Sequence, residues 1–353
     1  MSKMFKELIS RSKRITRDEF ASNFGGIADD VVEMLDSEQA QKVTQEARGY
    51  MEAASRLPSG MPRLRQVEFG LFSNAPELEQ GKVAAVDGTP VLPMQMYSAG
   101  QALCVGVGSI SYRRPLQDSL HYWSSKALLS DAKDTEDFIA RQEQGLFGIS
   151  QTAYLRYFEI KHGCEINEPY VLFDGTVVYE WLVATQEGVN LYSQLFKSGK
   201  RCVGVMKNIK ANAIFATYAR ALRTGEIYII ETLADHLLQS NVPNRNPGES
   251  SGYILPEFIE RIAPHILRGI FKPRKKAFGF EVHEDHLDDM LRILAADCQL
   301  NNVGHEIPHL LNRVDEEVRK HFNPRILQDR IAVRMTTQSE ELFFEETNER
   351  SFR

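Results

Sequence analysis

Two stretches of this chain end alike: VAAVDGT at 83–89 and VLFDGTVV at 171–178 each run an apolar strand into Asp-Gly-Thr. Val83 to Val86 and Tyr170 to Phe173 are unbroken apolar runs, the pattern of a strand covered on both faces, as in the parallel layer of an α/β fold. A chain that delivers an acid from each of two such strands, Asp87 and Asp174, places both strand ends in one crevice at the edge of a sheet. Two carboxylates held there repel unless a cation lies between them. Paired acids on rigid strands build all-oxygen sites for Mg²⁺ or Mn²⁺, and two such ions activate water and stabilise the leaving oxygen of a phosphodiester. Asp-Gly is also a common turn pair. Its repetition behind two buried strands favours the functional reading.

The rest of the chain fills in around these strands. Residues 17–56 space apolar positions (Val31, Leu35, Val43, Met51) as a helix does and end at Pro58-Ser59-Gly60, which predicts a helical N-terminal extension over 1–80. From Lys82 to Tyr112 three strand-like runs are separated by turn residues, predicting a meander of three short strands. Helices are predicted over 130–162 and from Val177 to Phe196, and the strand RCVGVMKNI comes next with Lys207 near its end. EIYIIETL and KKAFGFEVHE read as further strands, 285–300 and 308–320 as helices, and RIAVRM at 330–335 as a strand. The expected domains are therefore the extension 1–80, a catalytic α/β domain 81–335, and an acidic, aromatic tail 336–353 with Phe343 and Phe344.

Composition narrows the function classes. The 353 residues are 42% hydrophobic and 25% charged, with a net charge of −6; these are the proportions of an ordinary globular protein with no general affinity for nucleic acid. Any grip on a nucleic-acid backbone must come from local basic groups, and the candidates are Arg113 and Arg114, Lys207 with Lys210, and the run Lys272, Arg274, Lys275, Lys276. No stretch is long and apolar enough for a membrane span, and the charged N-terminus lacks a signal-peptide core, so a cytoplasmic location is expected. Cys104, Cys164, Cys202 and Cys298 are widely spaced in apolar contexts and read as core thiols.

An acid-bearing meander, then helices, a strand ending in a second acid, and a late helix carrying another acid make the order of the ribonuclease H-like fold. In detail the sequence resembles the NurA nuclease family, through VAAVDGT with Asp87, VLFDGTVV with Asp174, VGVMKNI with Lys207, FGFEV with Glu281, and PHLLNRVD at 308–315. The resemblance spans about 80 to 320. It implies a ribonuclease H-like mixed sheet flanked by helices and a deoxyribonuclease dependent on Mn²⁺ or Mg²⁺, with Asp87, Asp174, Glu159 and Asp315 as ligands and Lys207 on the scissile phosphate. Glu159 enters as the acid of the helix TAYLRYFEIKHG before the second motif, and Asp315 stands where many relatives have His; His309 and Arg313 are the alternatives in that last segment. The resemblance further implies a homodimer and a HerA-type hexameric ATPase partner, serving end resection in double-strand break repair or defence against phage. Val31, Leu35, Met51, Phe343 and Phe344 are then candidates for those contacts, alongside packing on the protein's own core. Glu281, opposite Phe280 in the strand alternation, is expected to face water.

Three other readings compete. HEIPH at 305–309 matches H-E-x-x-H formally, but proline cannot continue a helix, so Pro308 is expected to start one and leave His305 outside it. The spacing of HEDH at 283–286 suits no ligand pair. An actin-like or sugar-kinase phosphotransferase also begins with strand-Asp-Gly-Thr, yet needs more glycine-rich loops than VGVGS at 105–109. A non-catalytic scaffold of the same fold has no need of both aspartates.

Overall fold

The computed structural model describes residues 10, 26, 28–29, 31–33, 35–67, 75–97, 100–126, 146–209, 213–239, 256–300 and 307–338. The chain divides into two compact units, Met1–Ala53 and Ala54–Arg353. Helix α1, Glu38–Ala53, belongs to the first and carries an Arg48–Glu52 pair at 2.6 Å along one face.

The second unit holds a nine-stranded mixed sheet. Its first half runs β1 (Leu64–Gln66), α2 (Pro76–Glu79), β2 (Val83–Tyr97), β3 (Gly100–Ser111), β4 (Gln117–Lys126), α3 (Leu146–Glu165) and β5 (Tyr170–Asp174). Next come α4 (Gln186–Lys197), β6 (Arg201–Met206), α5 (Ala213–Ala221), β7 (Glu226–Thr232), α6 (Leu233–Gln239) and α7 (Pro256–Arg261). The chain continues through β8 (Ile266–Phe271), β9 (Phe278–His283), α8 (Leu287–Cys298), α9 (His309–His321) and α10 (Pro324–Gln338).

Across the sheet the order is β1-β7-β8-β9-β6-β5-β2-β3-β4. β5 lies parallel to β2 and to β6, and the other neighbours are antiparallel. The block β4-β3-β2-β5-β6 is thus an antiparallel meander continued by two parallel strands, the ribonuclease H-like arrangement expected from the sequence. Cores cover both faces. In β5, Val171 and Phe173 enter one cluster with Ile160 of α3 and Leu195 of α4, while Leu172 enters the other with Leu294 of α8 and Val314 of α9. Alternate residues of one strand serve opposite layers, which is why the run is apolar throughout.

Several expectations are corrected. The meander between 83 and 111 is two long strands, and its third member begins at Gln117. Pro90 reads as a break but lies inside β2, beyond Val86, where β5 has stopped pairing and β3 is the remaining partner; the register shifts after it, at Leu92 and Gln95. RIAVRM is helical, within α10. Its apolar positions belong to a longer pattern, Leu327, Ile331 and Met335 at four-residue spacing, which lies over Leu92, Ala102 and Cys104. The helix expected from Val177 starts at Gln186, where the Thr185 hydroxyl accepts from Gly188 N at 3.1 Å. β1, within the stretch expected to be helical, pairs with β7. Cys104, Cys202 and Cys298 are buried thiols and Cys164 is half-buried.

Candidate metal centre at the sheet edge

Asp87 and Asp174 are brought together by register. Val86 pairs with Phe173, so the next residue of each parallel strand is an acid at the same edge. The third acid comes from α9, whose Leu310, Leu311, Val314 and Val318 face the core and leave Asp315 at the margin. Two glycines of β3 let this helix lie close. A Cβ at Gly106 would stand 2.3 Å from the Phe322 ring, and one at Gly108 would stand 2.8 Å from Val318. Gly108 is the register partner of Asp87, so the approach that glycine permits at Val318 is what carries Asp315, one turn earlier, to Asp87. The glycines of VGVGS thus serve helix packing, not a nucleotide loop.

Carboxylate oxygens of Asp87, Asp174 and Asp315 lie within 4.8 Å of one another, the one such cluster among the described residues. Asp87 is 8% exposed, and its Oδ1 accepts from Gly88 N at 2.8 Å. Burial, and then the charges of Glu159 and Asp174, push its carboxyl well above the usual carboxylate range. Lys207, at the end of β6, places Nζ 2.6 Å from Asp174 Oδ2, and Arg319 Nε lies 2.8 Å from Asp315. An acid so desolvated among acids is a strong reason for a cation, and carboxylate oxygens are the donors that Mg²⁺ and Mn²⁺ take. The residues fit the metal the sequence implies.

Glu159 lies beside this cluster without joining it. From α3 it reaches the underside of Gly88, where a Cβ would stand 2.9 Å from Glu159 Oε1. Its other oxygen takes Arg156 Nη1 at 2.6 Å, and the same nitrogen donates to the Asp174 carbonyl at 2.6 Å. Burial raises the Glu159 carboxyl, with the Arg156 charge opposing it. Arg156 is a site residue that the motifs do not single out, although its spacing of three from Glu159 on a helix is a readable signal.

The remaining candidates separate. His309 opens α9 and stacks on Tyr112 with ring centroids 6.0 Å apart, and Arg313 lies near Tyr112 and Asp297; Asp315 is the member of that segment in the cluster. Pro308 is the residue before α9, and His305 lies outside the described residues, as do Lys210, Phe343 and Phe344. Val31 and Leu35 are exposed and Met51 is buried. The β8–β9 turn with Lys272, Arg274, Lys275 and Lys276 stands at the cluster's edge of the sheet, because Gly279 pairs with Met206 beside Lys207. Lys272 Nζ is engaged there by the Leu222 carbonyl at 2.9 Å. Arg113 and Arg114 belong to the opposite edge: Arg113 Nε donates to the Glu79 carbonyl at 2.7 Å and Arg114 lies 3.5 Å from Glu168, both before the strands begin. They are not brought to the acids, because β3 runs antiparallel to β2 and carries its end away from Asp87.

Glu281 overturns the expectation that it faces water. It is 1% exposed, because β9 is an inner strand with both faces covered, and alternation there chooses between two interiors. Its Oε1 accepts from Arg268 Nε at 2.9 Å and its Oε2 from Val178 N at 3.1 Å.

The chain is similar to known proteins. Solved structures similar to it include the NurA nuclease from Sulfolobus solfataricus, 9% identical, covering 92% of this chain and 99% of that one, with a TM-score of 0.48. Another is NurA with manganese, at 10% identity, 91% and 98% coverage and a TM-score of 0.42. The catalytic domain of human Endonuclease V matches at 14% identity, 82% and 98% coverage and a TM-score of 0.32. No curated protein matches the sequence. The sequence profile of the NurA domain matches residues 81–319, more than half of the chain and all three acids of the cluster; the chain belongs to the NurA domain family.

Proposed function

We propose that this protein is a metal-dependent deoxyribonuclease that hydrolyses phosphodiester bonds. The observation that carries the reading is the convergence of Asp87, Asp174 and Asp315 within 4.8 Å at one sheet edge; membership of the NurA domain family supports it. Asp87, Asp174 and Asp315 would hold Mn²⁺ or Mg²⁺, with Glu159 beside them for a second ion. A divalent ion there supplies Lewis-acid charge, which acidifies water and stabilises a leaving oxygen. Lys207 holds one oxygen of Asp174 and would take a phosphate oxygen as DNA approaches, while Lys275 and Lys276, on the turn at the same edge, would hold the backbone beside it. Burial of Asp87 keeps water from screening these interactions.

The resemblance supports a homodimer working with a HerA-type hexameric ATPase in end resection or phage defence. An acidic nuclease grips DNA weakly, and a motor that feeds the strand into the site raises its effective concentration there. Degradation of labelled single- and double-stranded DNA in Mn²⁺, Mg²⁺ or EDTA tests the chemistry. Loss of cleavage in EDTA and its return with Mn²⁺ are expected; cleavage untouched by chelation would overturn the metal reading. Adding the ATPase with ATP should raise degradation, and an ATPase-dead motor should not. Equal rates with and without the motor would remove the partnership.

A further inference from the structure

Asp174 is the last residue of its strand, and a sharp turn comes directly after it. Gly175 has φ +91, a conformation glycine enters at little cost; Lys207 Nζ holds the Asp174 carboxylate and Arg156 Nη1 its carbonyl, each at 2.6 Å, but neither is bonded to the backbone of the turn beyond. The turn 175–180 is instead tied down by groups from distant elements. Gly175 N donates to Val205 O at 2.9 Å, and Tyr179 N donates to the Tyr192 hydroxyl at 2.9 Å. Gly204 of β6 leaves room beneath, since a Cβ there would stand 2.5 Å from both Gly175 O and Val177 N.

Gly204 is the register partner of Glu281, and the space glycine leaves is where the Glu281 carboxylate meets Val178 N at 3.1 Å. From Glu281 a chain of ionic contacts crosses the sheet and returns to the same turn. Arg268 Nε holds Glu281 Oε1 at 2.9 Å, Arg268 Nη1 holds Glu231 Oε1 at 2.7 Å, and that oxygen lies 3.2 Å from His236 Nδ1. His236 Nε2 then meets Glu180 Oε1 at 3.1 Å. Val178 and Glu180 are thus two ends of one closed circuit. Ion pairing alone does not account for its shape, because Arg268 and Glu231 could neutralise one another without reaching the turn.

We propose that Glu281, held by Arg268, is a positioning residue for Asp174: by binding Val178 N it fixes the turn after the strand and so sets how tightly the acid cluster takes a divalent ion. The proposal rests on the metal-dependent nuclease reading and deepens it. Partners behind a metal ligand commonly change affinity tenfold or more when removed, and here the link runs through four residues of backbone.

The test uses the full chain with Glu281→Ala, Glu281→Gln and Gly204→Ala, following Mn²⁺ by calorimetry and backbone amides by hydrogen exchange. Glu281→Ala should speed exchange at Val178 and Tyr179 while Val203 and Val171 stay protected, and should weaken Mn²⁺ binding about tenfold. Glu281→Gln keeps an oxygen for Val178 N and should restore most of both. Gly204→Ala leaves the ion pairs intact but displaces the turn, so it should weaken Mn²⁺ binding without changing Arg268; it also serves if Glu281→Ala does not fold. Unchanged Val178 exchange and wild-type Mn²⁺ affinity in folded Glu281→Ala or Gly204→Ala would overturn the proposal. If the wild-type protein binds neither Mn²⁺ nor Mg²⁺, the metal-dependent nuclease reading and the metal half of this proposal both fall, and exchange at Val178 still decides whether Glu281 anchors the turn.

Discussion

Two groups of acids lie a few strands apart in this sheet, each with one member in the interior, Asp87 in one and Glu281 in the other, and the two buried members are treated differently. In the network of Glu281, Arg268, Glu231, His236 and Glu180, each acid has a cationic partner within 3.2 Å. In the cluster of Asp87, Asp174 and Asp315, Lys207 and Arg319 pair with the two outer acids, while Asp87, the most buried, accepts from the Gly88 backbone N–H and is disfavoured by its neighbours' charges. A charge-paired network specifies and rigidifies a core, whereas an acid buried among other acids is kept where a cation completes it. The difference separates scaffold from site more sharply than residue type does, because both groups consist mainly of carboxylates.

The largest expected effect breaks the comparison at its catalytic end. Asp87→Ala or Asp174→Ala should lower DNA cleavage by roughly a thousandfold or more while relieving repulsion, so thermal stability should hold or rise. An active variant, or one that melts far earlier than wild type, would make the cluster structural. The network should behave in reverse. Arg268→Ala leaves Glu281 buried without its counter-charge and should cost about 3–5 kcal/mol in urea unfolding. Lys207→Ala, at the partly exposed pair with Asp174, should stay within about 1 kcal/mol. Similar losses from the two would erase the distinction.

A third buried acid sharpens it. Asp297, fully buried between α8 and α9, accepts from Tyr112 Oη at 2.6 Å and from Leu310 N at 3.0 Å, and burial pushes its carboxyl up to about 6. With its folded value raised above the unfolded one, its contribution to stability is full below about pH 4 and is lost as pH rises through about 6, a change of roughly 3 kcal/mol. Unfolding measured from pH 4 to 8 should show that slope, and Asp297→Asn should flatten it. A smaller pH effect is at His236, raised to about 9 by hydrogen bonds to Glu180 and Glu231. Its contribution is full below about pH 6.5 and is lost as pH rises through about 9. Allowing for partial exposure, wild type should lose roughly 2 kcal/mol more than His236→Gln between pH 7 and 10.

How much the sequence reveals depends on how local each signal is. Asp87 and Asp174 are legible because a buried parallel strand is an unbroken apolar run and the acid ends it. Asp315 is reached through the family motif, since a helical acid with an i+4 arginine looks like any solvated face. Glu281 and Arg268 are hidden by sheet order: alternation tells which residues share a face, but not that β9 lies between β8 and β6 with both faces covered. Arg268 does leave a trace. A lone arginine inside the apolar strand ILRGIF calls for a buried acid on the adjoining strand. α10 reads as a strand because six residues sample too little of a four-residue spacing that becomes clear only from Leu327 to Met335.

Asp87, Asp174 and Asp315 come from three well-separated parts of the chain, and the last of them arrives on a helix that comes after all the strands among the described residues. During synthesis the first two acids leave the ribosome long before the third, and the parallel pairing of β2, β5 and β6 joins segments distant in sequence, which is slow to form. A nascent or truncated chain ending before α9 therefore holds an unfinished cluster. On the proposed reading, the metal site is finished only when the whole domain has been made and closed, so an incomplete product of this gene carries the first two acids without the third.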